Sequence, residues 1–305
     1  MTRAMLIINP VAGQGKGKRI AHRFESQLST MFDQVVFCLT EKQGDATHFA
    51  ARACDEQFDA VFAVGGDGTV SECLNGMGEK DYRPTFGFLP GGTINTTARE
   101  LEIPLNLDRA VDSFPHWKQI RLDIGKVNDH FFISSIAIGR LPSATQQVST
   151  EQKEKFGVWA YVREELSAMN ESDAYPLVIE LEEEKVDLKT PLAVISTGHV
   201  LGGIRDFVPN ATLKDGKVYL LALKQVSLLA NLAVASKALT GNLPKDDRIL
   251  YREFERGTIS VHGQEKIYSN VDGDKGPALP LNITCLRDHL TFYVPKNYEQ
   301  KISEK

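Results

Sequence analysis

The run Ala60-Val61-Phe62-Ala63-Val64 passes without a spacer into Gly65-Gly66-Asp67-Gly68-Thr69, and a helix-type pattern carrying Val70, Cys73 and Leu74 follows at once. An unbroken apolar run that stops at glycines is the pattern of a strand covered on both faces. Strand, glycine turn and helix in that order make a crossover unit of a parallel sheet. The turn then lies at the carboxyl edge, where open α/β sheets bind ligands. A tight turn needs fewer glycines and no fixed acid. Glycines permit positive φ and close approach of a ligand. Thr69 is expected to cap the helix and bond a phosphate, and Asp67 to organise metal-bound phosphate or accept a proton. The spacing is not GxGxxG.

The neighbouring sequence repeats the unit. Met5 to Ile8 reads as a strand ending at Asn9-Pro10, and Ile20, Phe24 and Leu28 then share one helix face. Val35 to Leu39 is the next strand. Asp45 is placed as N-cap of a helix carrying Phe49, Ala50, Ala53 and Cys54. Thr85 to Leu89 is a further strand, halting at Pro90-Gly91-Gly92. The pattern predicts an α/β N-terminal nucleotide-binding domain over residues 1–120.

From about residue 119 the texture changes to alternation of polar and apolar residues. Hairpin signals stand at Val127-Asn128-Asp129-His130-Phe131 and Lys214-Asp215-Gly216-Lys217-Val218. Leu177, Ile179 and Leu181 alternate with polar neighbours, and the runs near 192–196, 218–223, 257–262 and 290–294 behave alike. These predict a mostly antiparallel, β-sandwich-like C-terminal domain over 121–305. Two helical interludes interrupt it, Glu151 to Met169 and Val226 to Leu239. The face formed by Phe156, Trp159, Ala160 and Val162 is assigned to core packing, with lipid contact as the alternative.

A chain of 305 residues that is 42% hydrophobic and 25% charged suits two domains. Its net charge of -5, free of long single-sign runs, argues against nucleic-acid binding and against a polybasic membrane anchor. Cys38, Cys54, Cys73 and Cys285 form no CxxC pair, as a reducing cytoplasm predicts. No apolar stretch reaches the roughly 20 residues of a transmembrane helix. HExxH and GxSxG are absent, and no cysteine carries a protease signature.

Asn9-Pro10-Val11-Ala12-Gly13 follows the first strand and precedes a helix opening with Gln14, Gly15, Lys16, Gly17, Lys18 and Arg19. Helix N-terminal amides attract anions and glycines let the backbone approach them. The GxxxxGK[ST] spacing of a Walker A loop is missing, so a glycine-rich turn with solvated lysines stays equally open.

Gly65 to Thr69, Asn9 to Gly13 and Leu89-Pro90-Gly91-Gly92-Thr93-Ile94-Asn95 together resemble the diacylglycerol kinase catalytic family, which includes soluble bacterial lipid kinases, sphingosine kinases and ceramide kinases. The resemblance covers nearly the whole chain. It implies a nucleotide cleft between the two domains, with the final strand near 290–295 returning to the first. It also implies ATP and Mg²⁺ as cofactors. Asn9, Pro10, Val11, Ala12 and Gly13 are implied to embrace the nucleotide phosphates, Thr40 to lie near adenosine, and Thr93 to complete the pocket. Gly66, Asp67, Gly68, Thr69, Val70, Ser71 and Glu72 are implied to hold phosphate and metal, with Glu72 reaching toward the ribose or phosphate end.

Farther along, Gly202-Gly203, Pro209, Ala211 and Asp215-Gly216 resemble the family stretch that binds a structural magnesium ion. The Asp215 carboxylate and the carbonyls of Thr212 and Lys217 are the implied ligands. An ordinary Asp-Gly hairpin is the alternative. Asn270-Val271-Asp272-Gly273-Asp274 resembles the family's Asp-Gly-Glu motif, which makes Asp274 the implied general base, one methylene shorter than the usual glutamate, and Asp272 a helper or metal ligand. Thr96 stands where the family has an acid that pairs with basic residues, here represented by Arg19 and Arg99, and Gln14 replaces a common lysine.

The resemblance therefore implies ATP-dependent phosphorylation of a lipid hydroxyl at the membrane surface, diacylglycerol first, by a cytoplasmic protein peripheral to the inner membrane face. A homodimer is left open. Two alternatives stand beside it. One is a kinase of a soluble substrate, since NAD kinases carry a similar Gly-Gly-Asp-Gly loop. The other is a catalytically weak nucleotide-binding regulator, motivated by Asp274 and Thr96.

Overall fold

The computed structural model of the chain describes residues 1–13, 15, 17–139, 174–224, 243–263 and 266–298. Both helical interludes, and Gln14 and Lys16 of the first loop, lie outside the described residues. The chain divides into two compact units, Met1–Ile124 with Arg287–Gln300, and Gly125–Leu286 with Lys301–Lys305.

The first unit is a parallel sheet with crossover helices. Strands β1 (Arg3–Ile8), β2 (Gln34–Leu39), β3 (Ala60–Gly65) and β4 (Thr85–Pro90) lie in the order β2-β1-β3-β4 and all pair in parallel. Every residue of β3 is buried, as its continuous apolar run requires. Helix α1 (Gly17–Leu28) turns Ile20, Ala21, Phe24 and Leu28 inward. The Phe24 ring meets Phe62 and Phe114 edge-on at 5.4 and 4.8 Å. Each such fully buried aromatic contributes about 1.5–3 kcal/mol.

Helices α2 (Asp45–Asp55), α3 (Asp67–Met77), α4 (Thr96–Glu100) and α5 (Leu107–Ser113) complete the connections. At the start of α2 the expected cap is shifted by one residue. Gly44, at φ 91°, holds the cap position. Asp45 is the first helical residue, and its carboxylate accepts instead from the amides of Glu41 at 2.8 Å and Lys42 at 2.9 Å. A left-handed residue is required at that entry, and glycine adopts it without steric cost.

The second unit is a two-layer β structure. The last residues of β5 (Lys118–Val127), whose earlier part belongs to the first unit, form the expected hairpin with β6 (His130–Phe132), with Val127 opposite His130 and Asn128 at φ 50°. Further strands are β7 (Ser135–Gly139), β8 (Tyr175–Leu181), β9 (Lys185–Thr190), β10 (Leu192–Ser196), β11 (Val218–Leu223), β12 (Ile249–Phe254), β13 (Arg256–Val261), β14 (Tyr268–Val271), β15 (Asp274–Ala278) and β16 (Leu281–Val294).

One antiparallel layer runs β12-β11-β10-β7-β14-β15, and the other joins β9, β8, β13 and the first half of β16. Ile138, Ala193, Ile195, Leu220 and Leu250 of the first layer pack with Leu177, Ile179, Ile259, Leu281 and Ile283 of the second in one core. Alternation along each strand creates that shared apolar face. The signal at Lys214 to Val218 is a turn leading into β11, with no strand immediately before it. In the last half of β16, Phe292 pairs in parallel with Phe86 of β4.

Candidate active site

Three loops meet at the carboxyl edge of the parallel sheet, and backbone contacts fuse them. The Asn9 amide donates to Val64 O at 2.9 Å, Gly91 N to Gly65 O at 2.7 Å, and Gly13 N to Gly91 O at 2.8 Å. A Cβ on Gly91 would stand 2.6 Å from the Cβ of Ala12, and one on Gly66 would stand 2.9 Å from the Cα of Gly92. Glycine is therefore required at these positions by the neighbouring loop itself. Inside the first loop Asn9 Oδ1 accepts from Val11 N at 3.1 Å, and Val11 projects outward, 75% exposed.

Asp67 ties the second loop to the third. Its Oδ2 accepts from Thr96 N at 3.0 Å and its Oδ1 from Thr97 N at 3.2 Å, so the first residue of α3 caps α4. Burial raises the Asp67 pKa, and the Thr96 and Thr97 amides act against that rise. Position 96 thus enters the site through its backbone amide. Arg19 pairs with Asp108 at 3.2 Å, and Arg99 Nε donates to Ile94 O at 2.8 Å. Neither finds an acid at position 96.

The remaining residues of the second motif divide along α3. Gly66 takes the N-cap position, and Thr69 lies inside the helix with its side chain where a Gly65 Cβ would stand. Thr69 is therefore not the cap. Thr69, Val70 and Ser71 are buried, whereas Gly68 is exposed at the first turn. Glu72 Oε2 accepts from Ala46 N at 3.1 Å, which joins α3 to the start of α2 rather than aiming this oxygen at a ligand. Thr40 closes the end of β2, its amide and hydroxyl both donating to Ile8 O, at 2.9 and 3.3 Å. Thr93 is exposed at the tip of the third loop.

One residue of the third loop does more than its motif announced. Asn95 is buried at φ 54°, and its amide group bonds Gly92 twice, accepting from N at 2.9 Å and donating to O at 2.8 Å. Its signal in the sequence is an asparagine between a glycine pair and a helix start. Asn tolerates the left-handed region that this entry demands. The acid Asp123 on β5, buried and accepting from Asp288 N at 2.8 Å, carried no sequence signal.

In the second unit, Asp272 and Gly273 form the two-residue turn between β14 and β15, at φ 50° and 98°. The Asp272 carboxylate accepts from the amides of Ser134 and Ser135, each at 2.9 Å, and of Ile133 at 3.1 Å. These bonds clamp the β6–β7 connection to the turn. Asp274 differs. It is exposed at the start of β15, its carboxylate has no hydrogen-bond partner among the described residues, and partial desolvation of the carboxyl raises its pKa.

The proposed metal ligand Asp215 is occupied by protein donors. Its oxygens accept from Thr212 N, Thr212 Oγ1, Lys217 N and the Tyr219 phenol. Among the described residues no group of three or more His, Cys, Asp or Glu side chains is placed to hold a metal ion. All four cysteines are buried and none is joined in a disulfide, and no described helix is long and apolar enough to cross a membrane.

Residues 3–127 match the family model for the diacylglycerol kinase catalytic domain, and residues 134–294 match that for the YegS C-terminal NAD kinase beta sandwich-like domain. The chain is 31% identical to a diacylglycerol kinase of Bacillus subtilis over the full length of both proteins. It is 30% identical to a diacylglycerol kinase of Staphylococcus saprophyticus, over 98% of this chain and 97% of that one. A diacylglycerol kinase structure from Bacillus anthracis superposes with a TM-score of 0.81 at 27% identity, covering 96% of each chain. An NAD kinase from Archaeoglobus fulgidus in complex with ATP shares the fold alone, at a TM-score of 0.51 and 13% identity over 98% of this chain and 94% of that one.

Proposed function

The chain belongs to the diacylglycerol kinase catalytic-domain family, a lipid kinase family that uses ATP, and from that premise we propose that it transfers the γ-phosphoryl group of ATP to the free hydroxyl of diacylglycerol. The observation that carries the reading is the fusion of the 9–13, 65–68 and 91–95 loops at the end of a parallel sheet. Their exposed glycines and the first turn of α3 offer backbone amides to a polyphosphate, and a rigid set of donors stabilises charge on the transferring group without reorganising.

The bond from Pγ to the β,γ-bridging oxygen breaks and a bond from Pγ to the lipid oxygen forms, leaving ADP and phosphatidic acid. The hydroxyl proton passes to a carboxylate, and Asp274 is the residue we assign to that task. Asp67, Asp215 and Asp272 already accept hydrogen bonds from the protein, whereas the Asp274 carboxylate has no hydrogen-bond partner among the described residues. A pKa above the ordinary carboxylate value also makes it the stronger base. Magnesium, when bound with the ATP phosphates, supplies neutralisation of the charge on the transferring group. The Asp67 carboxylate accepts an amide on each oxygen, so it suits positioning of α4 better than direct metal ligation.

The test is incubation of purified protein with labelled ATP and Mg²⁺ against diacylglycerol, sphingosine and ceramide in mixed micelles, with NAD as a soluble acceptor. Labelled phosphatidic acid is the expected product. Label in NADP, or in no acceptor, would overturn the assignment.

A further inference from the structure

The turn before β11 is closed by its own side chains. Asp215 Oδ2 accepts from the Thr212 amide at 3.0 Å, from the Thr212 hydroxyl at 3.1 Å and from the Tyr219 phenol, while Oδ1 accepts from the Lys217 amide at 3.0 Å. Tyr219 is 4% exposed and packs with Val208, Ala211 and Leu221, its ring stacked on Tyr251 at 6.4 Å between centroids. The ammonium of Lys217 is engaged elsewhere, with Glu253 at 2.6 Å.

A hard cation binds a carboxylate through oxygen lone pairs, and those of Oδ2 already face three donors. The residues present therefore do not fit a directly coordinated magnesium ion at that oxygen. We propose that Tyr219 does at this turn the work of a structural divalent cation: its hydroxyl anchors the Asp215 carboxylate, and the turn holds its shape without metal. Thr212, which closes Oδ2 from the other side, makes the anchor two-sided. This inference is independent of the kinase reading, because it concerns a turn in the second unit and not the ion that accompanies ATP.

Two measurements on the nucleotide-free full chain decide it. Thermal unfolding of the wild-type protein should give the same midpoint in excess chelator and in millimolar Mg²⁺, and Tyr219→Phe should lower that midpoint by about 2–4 °C. A wild-type midpoint that rises with Mg²⁺, or a Tyr219→Phe midpoint equal to wild type, would overturn the proposal. Counting bound Mn²⁺ by electron paramagnetic resonance, with Asp215→Asn checked for folding by circular dichroism, supplies a second reading. No tight ion that Asp215→Asn removes is the expected result, and one ion per wild-type chain that disappears in Asp215→Asn overturns the proposal.

Discussion

The Oδ2 of Asp67 accepts a 3.0 Å hydrogen bond from the amide of Thr96, so the acid that opens α3 caps α4. Glycines around Asp67 let two loops approach each other as well as a ligand, and the carboxylate is the peg between them. An asparagine at 67 keeps one acceptor but turns an NH₂ group toward the other amide. Asp67→Asn should therefore cost about 1–2 kcal/mol of stability, the scale of a lost helix cap, and weaken ATP binding as the third loop shifts. Urea unfolding and a KM for ATP check both, and an unchanged KM would remove Asp67 from the phosphate site.

Gly91 tests the fusion of the loops more selectively. A methyl group there meets the Cβ of Ala12 at 2.6 Å, inside van der Waals contact, so the first and third loops must separate. Gly91→Ala should leave the circular dichroism spectrum intact while ATP affinity falls by about tenfold, which corresponds to about 1.4 kcal/mol. A paired Ala12→Gly change should restore part of the loss. Failure of that rescue would mean that the clash lies elsewhere.

Asp274 sets the expected pH dependence. A general base must be ionised, and burial raises this carboxyl above the ordinary aspartate value of about 3.9. Activity should thus fall as pH drops through that raised pKa, with an acid limb higher than a solvated aspartate gives. Asp274→Asn should cost about 10²–10⁴-fold in kcat and abolish the limb, whereas Asp274→Glu should retain both. A pH–rate profile of the three proteins decides the matter. An acid limb that persists in Asp274→Asn would assign the proton to another group.

Sequence periodicity exposed the sheet order poorly but its edge well. The strands Met5 to Ile8 and Ala60 to Val64 were legible because a strand buried on both faces must be apolar throughout, and the loops after them because glycine and asparagine are needed where chains touch. What each acid does was not legible. Asp67, Asp215 and Asp272 share a motif-like setting beside glycine, yet each accepts from backbone amides: of residues 29 and 30 positions away for Asp67, of 2 and 3 positions away for Asp215, which also binds two hydroxyls, and of 137 to 139 away for Asp272. The distant pairings of Asp67 and Asp272 leave no periodic trace, and the short-range bonds of Asp215 read in the sequence as an ordinary Asp-Gly turn. The cap at Asp45 slipped by one residue because Gly44 can enter the helix left-handed, a choice that cap preferences alone do not resolve.

Asp272 and Asp274 sit on either side of Gly273, and their surroundings predict opposite failures. The Asp272 carboxylate satisfies three backbone amides of residues 133–135, groups that lose their partner if it is removed. Asp272→Ala should lower unfolding free energy by about 2–3 kcal/mol, and Asp272→Asn by less, since one amide oxygen can still accept. Asp274→Ala removes a side chain without a partner among the described residues, so its stability should stay within about 0.5 kcal/mol of wild type while turnover collapses. Denaturant titrations alongside initial rates separate the two. Equal loss of stability in both variants would show that the hairpin tip acts as one structural unit and would withdraw the assignment of Asp274 as the proton acceptor.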